Sequence, residues 1–185
     1  MLTVSSDNPW PARGEIALRA AKGQTLSIDP KTVALVAAGI EPRWGRFLRA
    51  WQELAAEKGR FPTRTEIDPA RLGTDLLPNV FLVDAVMPIN AGKRRFRFRL
   101  LGQAILDRET TRAGDYLDTL GASADIAEIE RQYVAALGGE VWIRDADLVW
   151  NSQTRDVFTY QVMMLPLADA HGDVAHLLGL ALYTF

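Results

Sequence analysis

The sequence contains no cysteine and only two histidines among its 185 residues. Absence of cysteine excludes a disulfide framework, thiolate zinc sites, iron–sulfur clusters, a cysteine nucleophile and any chromophore bonded to the protein through sulfur. Charge of one sign is also lacking: 21 Lys and Arg stand against 23 Asp and Glu, a net charge of −2, so there is no general electrostatic footprint for nucleic acid. Long hydrophobic runs are missing. The longest weakly polar stretch of the first half, residues 33–40, falls far short of the roughly 18 residues that a membrane helix needs. Residues 1–10 carry no Lys or Arg, so no leader peptide is expected, and a cytoplasmic location follows as the default. No G-x-S-x-G elbow, P-loop or G-x-G-x-x-G is present, which leaves nucleophile and nucleotide enzymes without a signature.

What is there is ordinary for a folded domain: 48% hydrophobic and 24% charged residues. A chain of this length buries about 70% of the surface it would expose unfolded, without a staple. Residues 1–40 are rich in small and polar side chains and are expected to form an accessory segment, packed on the main domain or used for dimerisation; residues 41–185 form the main domain. Within the first segment, Asp29-Pro30 signals a helix start and Gly39 its stop, giving a helix over 30–38. A stronger helix is predicted over 42–58, where Trp44, Phe47, Leu48, Trp51, Leu54 and Ala55 recur with helical spacing and Gly59 follows. Asp68-Pro69 repeats the capping signal for a brief helix.

Strand patterns then take over. Residues 80–87 are apolar with one charge, residues 88–93 have turn chemistry, and residues 94–101 (RRFRFRLL) alternate, so a hairpin is predicted. Residues 103–137 return to helical spacing in two or three pieces broken at Gly114, the last starting at Ser123 and closing at Gly138-Gly139. Strands over 140–150, 157–167 and 174–185 follow, separated by turns at 151–153 and 169–173. Links this short between consecutive strands imply antiparallel pairing. The expected architecture is α+β: one five-stranded antiparallel sheet in two layers, with helices on one face, plus the N-terminal helices.

This order of strands and helices, the run Gly59-Arg60-Phe61-Pro62-Thr63-Arg64, the segment from Leu76-Leu77-Pro78-Asn79-Val80 to Asp84, and Phe96-Arg97-Phe98-Arg99-Leu100-Leu101-Gly102 together resemble a bacterial single-domain PAS family. The stretch Asp107-Arg108-Glu109-Thr110-Thr111-Arg112-Ala113-Gly114 is a loose version of the motif that follows the second strand in that family. The resemblance implies a stand-alone sensory or regulatory module, not an enzyme. Such a module cups a small ligand against its sheet or signals through a dimer. A homodimer and a sensor kinase or other regulator are the implied partners, with neither nucleic acid nor membrane among them. No cofactor is expected: haem in such domains usually takes a histidine from the helical region, and this chain has only His171 and His176, at or after the last turn. A non-covalent flavin or other small molecule stays open.

The candidate residues divide by chemistry. An apolar pocket with polar handles would use Phe98, Arg108, Tyr116, Tyr133, Trp142 and Tyr160, with Phe158 among the aromatics distributed around it. Trp44, Phe47 and Trp51 form a stripe that either covers the back of the sheet or meets its copy in a homodimer. Arg95, Arg97 and Arg99 form a basic stripe opposite Phe96, Phe98 and Leu100; it receives an acidic partner, or is a solvated face balanced by Asp84 or Glu140. Asp145 and Asp147 share one side of a strand at the spacing of paired catalytic carboxylates, and with His171 and His176 they define the alternative of a small α+β enzyme or carrier. Asp169, His171, Asp173 and His176 have the ligand types for a divalent metal, but the residue types of a polar turn as well, and no metal is expected.

Overall fold

The computed structural model describes residues 26–88, 92–120, 124–150 and 156–184. The predicted turn at 151–153, the helix cap at Ser123 and most of the N-terminal segment lie outside the described residues.

The chain starts with a two-residue strand β1 (Ser27–Ile28) and helix α1 (Pro30–Ala38). The Asp29 carboxylate accepts from the backbone N–H groups of Lys31 and Thr32 at 3.2 and 2.8 Å, satisfying donors that the first turn leaves open. Helix α2 (Pro42–Lys58) is capped by Glu41, whose carboxylate accepts from Arg43 N–H at 3.1 Å. Gly39 and Gly59 end the two helices in the left-handed conformation, at φ 63° and 64°, where a side chain would be strained. A short helix α3 (Pro69–Leu72) follows, capped by Asp68. Strands β2 (Val80–Val86) and β3 (Arg95–Leu101) form the expected hairpin; α4 (Gln103–Leu106), a 3-10 turn (Leu117–Thr119) and α5 (Ala124–Leu137) come next. Strands β4 (Glu140–Val141), β5 (Ile143–Trp150), β6 (Asp156–Ala168) and β7 (Val174–Thr184) close the chain.

Five strands form one sheet in the order β3-β2-β7-β6-β5, every pair antiparallel. The single strand expected over 140–150 is two: residues 140–141 pair in parallel with β1, and the chain changes partner at Trp142 before joining β6. Helix α5 covers one face of the sheet as expected, and the N-terminal helices cover the other. Three layers result.

On the outer face lies α2. Its stripe of Trp44, Phe47, Leu48, Trp51, Leu54 and Ala55 is buried, against Leu82 of β2, Met163, Leu165 and Leu167 of β6, and Leu178, Leu180 and Leu182 of β7. Trp51 donates its indole N–H to the Pro166 carbonyl at 2.9 Å and meets Phe61 edge-on at 5.3 Å. Fully burying such side chains contributes about 1.5–3 kcal/mol each. Trp44, Phe47 and Trp51 are therefore sheet cover, and with 2% exposure or less none is available to a second copy.

The same core shows what the Gly59–Arg64 run is for. Glu66 accepts from both Arg60 Nη atoms at 2.9 and 2.7 Å and from Thr63 N–H at 2.8 Å, closing the loop. Those contacts, the Arg60 guanidinium first, hold its carboxyl down to about 2. The clasp presents Phe61, fully buried, to Trp51, and sets the Pro62 carbonyl to accept from Ala168 N–H at 2.8 Å.

The described part of the N-terminal segment is built into this core rather than attached to it. Leu26 and Ile28 are buried there, and Thr32 Oγ1 accepts from Ile143 N–H at 2.7 Å in a fully buried contact. Of the two roles expected for residues 1–40, residues 26–38 take the packed one.

Candidate functional site

The inner face of the sheet carries a second core. Phe81 and Val83 of β2, Phe96 and Phe98 of β3, Met164 of β6 and Leu177 and Ala181 of β7 pack against Ile105, Leu117 and Tyr133, Ala136 and Leu137 of α5. Phe96 and Tyr133 meet edge to face at 5.1 Å. The Phe81 ring lies over Gly179 of β7: a Cβ there would come within 2.0 Å of Phe81 Cζ, so this approach requires glycine.

At the Tyr183 end of this core the side chains become polar. Tyr160 and Tyr183, directly opposite on β6 and β7, stack at 5.7 Å between centroids. The Tyr183 hydroxyl donates to Glu109 Oε1 at 2.7 Å. Glu109 reaches it because the turn after α4 is held tightly: its own N–H donates to the Ile105 carbonyl at 2.7 Å. The Arg108 guanidinium, anchored by a 2.8 Å bond from Nη1 to the Ala104 carbonyl, stands 5.0 Å from the centre of the Tyr183 ring. Burial pushes the Glu109 carboxyl above its ordinary range, against the lowering effect of the Tyr183 hydrogen bond. Burial likewise raises the Tyr183 and Tyr133 phenols, and the neighbouring Glu109 charge adds to both shifts. The result is a partly exposed group of a carboxyl, two stacked phenols and a guanidinium.

Of the residues proposed from sequence, Phe98 and Tyr133 belong to the inner core, Trp142 and Tyr160 pack against it, and Arg108 stands over Tyr183. Tyr116 does not join them. It lies along the outer edge of β3, where it pairs with Arg97 and carries the Arg95 guanidinium 3.9 Å above its ring. There, Gly114 and Asp115 hydrogen-bond to Phe98 and cover the strand edge. Glu109 and Tyr183 were not proposed. For Tyr183 a signal existed, since it shares strand parity with the inner residues Leu177 and Ala181; for Glu109 there was none beyond its place in the loose motif.

The other candidates are not brought together. Asp145 is exposed and accepts from Gln161 Nε2 at 2.7 Å, while the Asp147 side chain lies outside the described residues, as does that of Phe158. Asp169 accepts from His171 and Asp173 N–H at 2.8 and 3.0 Å, so this aspartate shapes a turn. Among the described residues no cluster of three or more acidic, histidine or cysteine side chains could hold a metal. His176 points elsewhere, onto Asp84 of β2, its Nδ1 2.9 Å from Oδ1. Asp84 also accepts from Arg97 at 2.9 Å and stands 3.6 Å from Arg99; Arg95 is paired to Asp118 at 2.7 and 2.8 Å. Of the two acids expected to answer the arginine stripe, Asp84 pairs with Arg97, while Glu140 lies on the short strand β4; Asp118 pairs with Arg95.

Among the described residues no helix is long and apolar enough to cross a membrane. No curated protein matches the chain significantly. Among solved structures, similarity reaches a light-oxygen-voltage domain studied with a flavin analogue, at 17% identity over 58% of this chain and 78% of that one, TM-score 0.35. The light-state LOV domain of the blue-light photoreceptor Aureochrome1 is similar at 14% identity over 58% and 88%, TM-score 0.35. A fungal LOV domain photoreceptor follows at 18% identity over 82% and 96%, TM-score 0.30. At these scores the likeness carries no functional inference. The family is another matter, since residues 42–182, from the first residue of α2 nearly to the end of β7, match the PAS domain, and the chain belongs to that family.

Proposed function

We propose that the chain is a PAS sensory or regulatory module that works by associating with a second copy of itself and with a sensor kinase or other regulator, and that it holds a small molecule non-covalently on the inner face of its sheet. The observation that carries the reading is the polar group at the Tyr183 end of the inner core: Glu109, Tyr183, Tyr160 and Arg108 converge from the turn after α4, β6 and β7, partly exposed. A core needs no such group for packing, and burying polar side chains costs free energy. A few convergent polar groups beside aromatic walls are what a small-molecule site requires. The ligand suited to it is planar, to lie along the tyrosines, with a hydrogen-bonding group for Glu109. Catalysis has no comparable support: Asp145 is engaged by Gln161, His176 is held in the Asp84 ion pair, and His171 stands apart from both in the turn that Asp169 shapes.

Native mass spectrometry of the full chain purified from its own cells tests this. A retained small molecule that is lost from the Tyr183→Phe and Glu109→Gln variants, or a retained protein partner, is the expected result. A bare monomer with neither would sink the proposal.

A further inference from the structure

The outer core stops short of β3. Its buried members come from β1, β2, β4, β5, β6, β7, the N-terminal helices and the segments that join them, and among the described residues none comes from β3. The outer side of β3 is therefore a strip of sheet that α2 does not cover. Strict alternation would turn Arg95, Arg97 and Arg99 to this side and Leu100 inward with Phe96 and Phe98. The register shows a bulge instead: Phe98 stands opposite Val83 and Leu100 opposite Leu82, with Arg99 as the extra residue. Leu100 consequently falls on the outer side, beside buried Leu82, and is 49% exposed. The bulge places an apolar side chain next to a guanidinium, both facing solvent.

Charge on the strip is uneven. Arg95 is matched by Asp118 through two hydrogen bonds. Asp84 is already taken at 2.9 Å by Arg97 on one flank and at 2.9 Å by His176 on the other. Arg99 forms only a looser ion pair with the same carboxylate at 3.6 Å, beyond hydrogen-bond distance, so three guanidiniums share two carboxylates and, among the described residues, the fork of Arg99 has no hydrogen-bond acceptor. A planar guanidinium with free donors selects a carboxylate, which it can grip with two parallel bonds.

We propose that Arg99 and Leu100, with Arg97 at their side, form the docking point for an acidic segment of another protein, which sets a carboxylate on Arg99 and an adjacent apolar side chain on Leu100. This rests on the reading of the chain as a module that acts through a protein partner. Nucleic acid fits less well: the aromatics of β3, Phe96 and Phe98, are buried on the other face and offer no stacking, and Asp84 lies in the middle of the strip. A second copy docked strip to strip would set arginine against arginine.

Selection of random displayed peptides on the full chain provides the test. Selected peptides should share Asp or Glu beside a large apolar residue. Their affinity should fall about tenfold or more with Arg99→Gln and, separately, with Leu100→Ser, each of which alters an exposed side chain and should keep the wild-type melting temperature. Arg49→Gln, on the exposed side of α2, should leave affinity unchanged. Peptides without acidic residues, binding that survives both β3 substitutions, or a selection that enriches nothing would overturn this surface, and Arg99-dependent binding of single-stranded DNA would overturn it in favour of nucleic acid. The regulatory reading falls only if the native protein retains neither ligand nor partner, so the two failures are separable.

Discussion

The Tyr183 hydroxyl donates a 2.7 Å hydrogen bond to the Glu109 carboxylate, joining the last strand to the turn after α4. Burial raises the Glu109 carboxyl while this bond lowers it, and burial dominates. A carboxyl whose folded pKa lies above its unfolded value binds more protons when folded, so its contribution to stability is greatest at low pH and declines as pH rises from its ordinary 4.5 through the raised value. Glu109→Gln keeps an acceptor for Tyr183 and removes the ionisation. Urea denaturation across pH 4 to 8 should show the variant gaining on the wild type as pH rises; a constant difference would contradict the raised carboxyl.

Asp84 behaves oppositely. Burial raises its carboxyl, but hydrogen bonds from Arg97 and His176 and the charges of His176 and Arg99 outweigh that and lower it from 3.8. Its contribution is therefore present above pH 3.8 and lost as pH falls through the depressed value. Asp84→Asn should cost about 1.5–3 kcal/mol at neutral pH, the range for a hydrogen bond to a charged group. The deficit should vanish under strongly acidic conditions, and persistence there would assign it to shape instead of charge.

Gly179→Ala should destabilise by about 1–3 kcal/mol, because its Cβ would lie 2.0 Å from Phe81 Cζ in a packed core. Phe81→Leu removes the obstructing ring atoms. The double variant should therefore lose less than the two single losses combined, and a double-mutant cycle by thermal denaturation reads the coupling directly; additivity would mean the ring yields without cost.

Thr32→Val should cost about 1–3 kcal/mol, since it leaves the buried Ile143 N–H without its acceptor. Deleting residues 1–38 removes this bond together with buried Leu26 and Ile28, so the shortened chain should melt at a markedly lower temperature than the full chain. An unchanged melting temperature would show residues 26–38 to be dispensable cover.

The short-range features of the fold were legible. Asp29-Pro30 and Gly39, then Pro42 and Gly59, bound α1 and α2 at the residues where the structure begins and ends them, because capping and positive φ are decided within a few residues of chain. The hairpin of β2 and β3 was equally visible in its alternation. Periodicity also marked the α2 stripe as apolar, but could not say whether it would face the sheet or a second copy. Leu100 was misplaced because a bulge of one residue inverts parity, and nothing in RFRFRLL announces where the extra residue will be absorbed.

What the sequence by itself determined, then, is helices α1 and α2 with their stops, the five strands of the main sheet, and the exclusion of every chemistry that needs a cysteine thiol. Tertiary structure alone decided the partnerships. His176 meets Asp84 because β7 inserts beside β2, Tyr183 reaches Glu109 because β7 ends over the turn after α4, and Thr32 satisfies Ile143 because β1 pairs with β4. Residues 92, 74 and 111 apart in sequence carry no mark of one another. Strand order brings them together, and strand order is settled by burying both faces of the sheet at once, a property of the whole chain and of no segment in it.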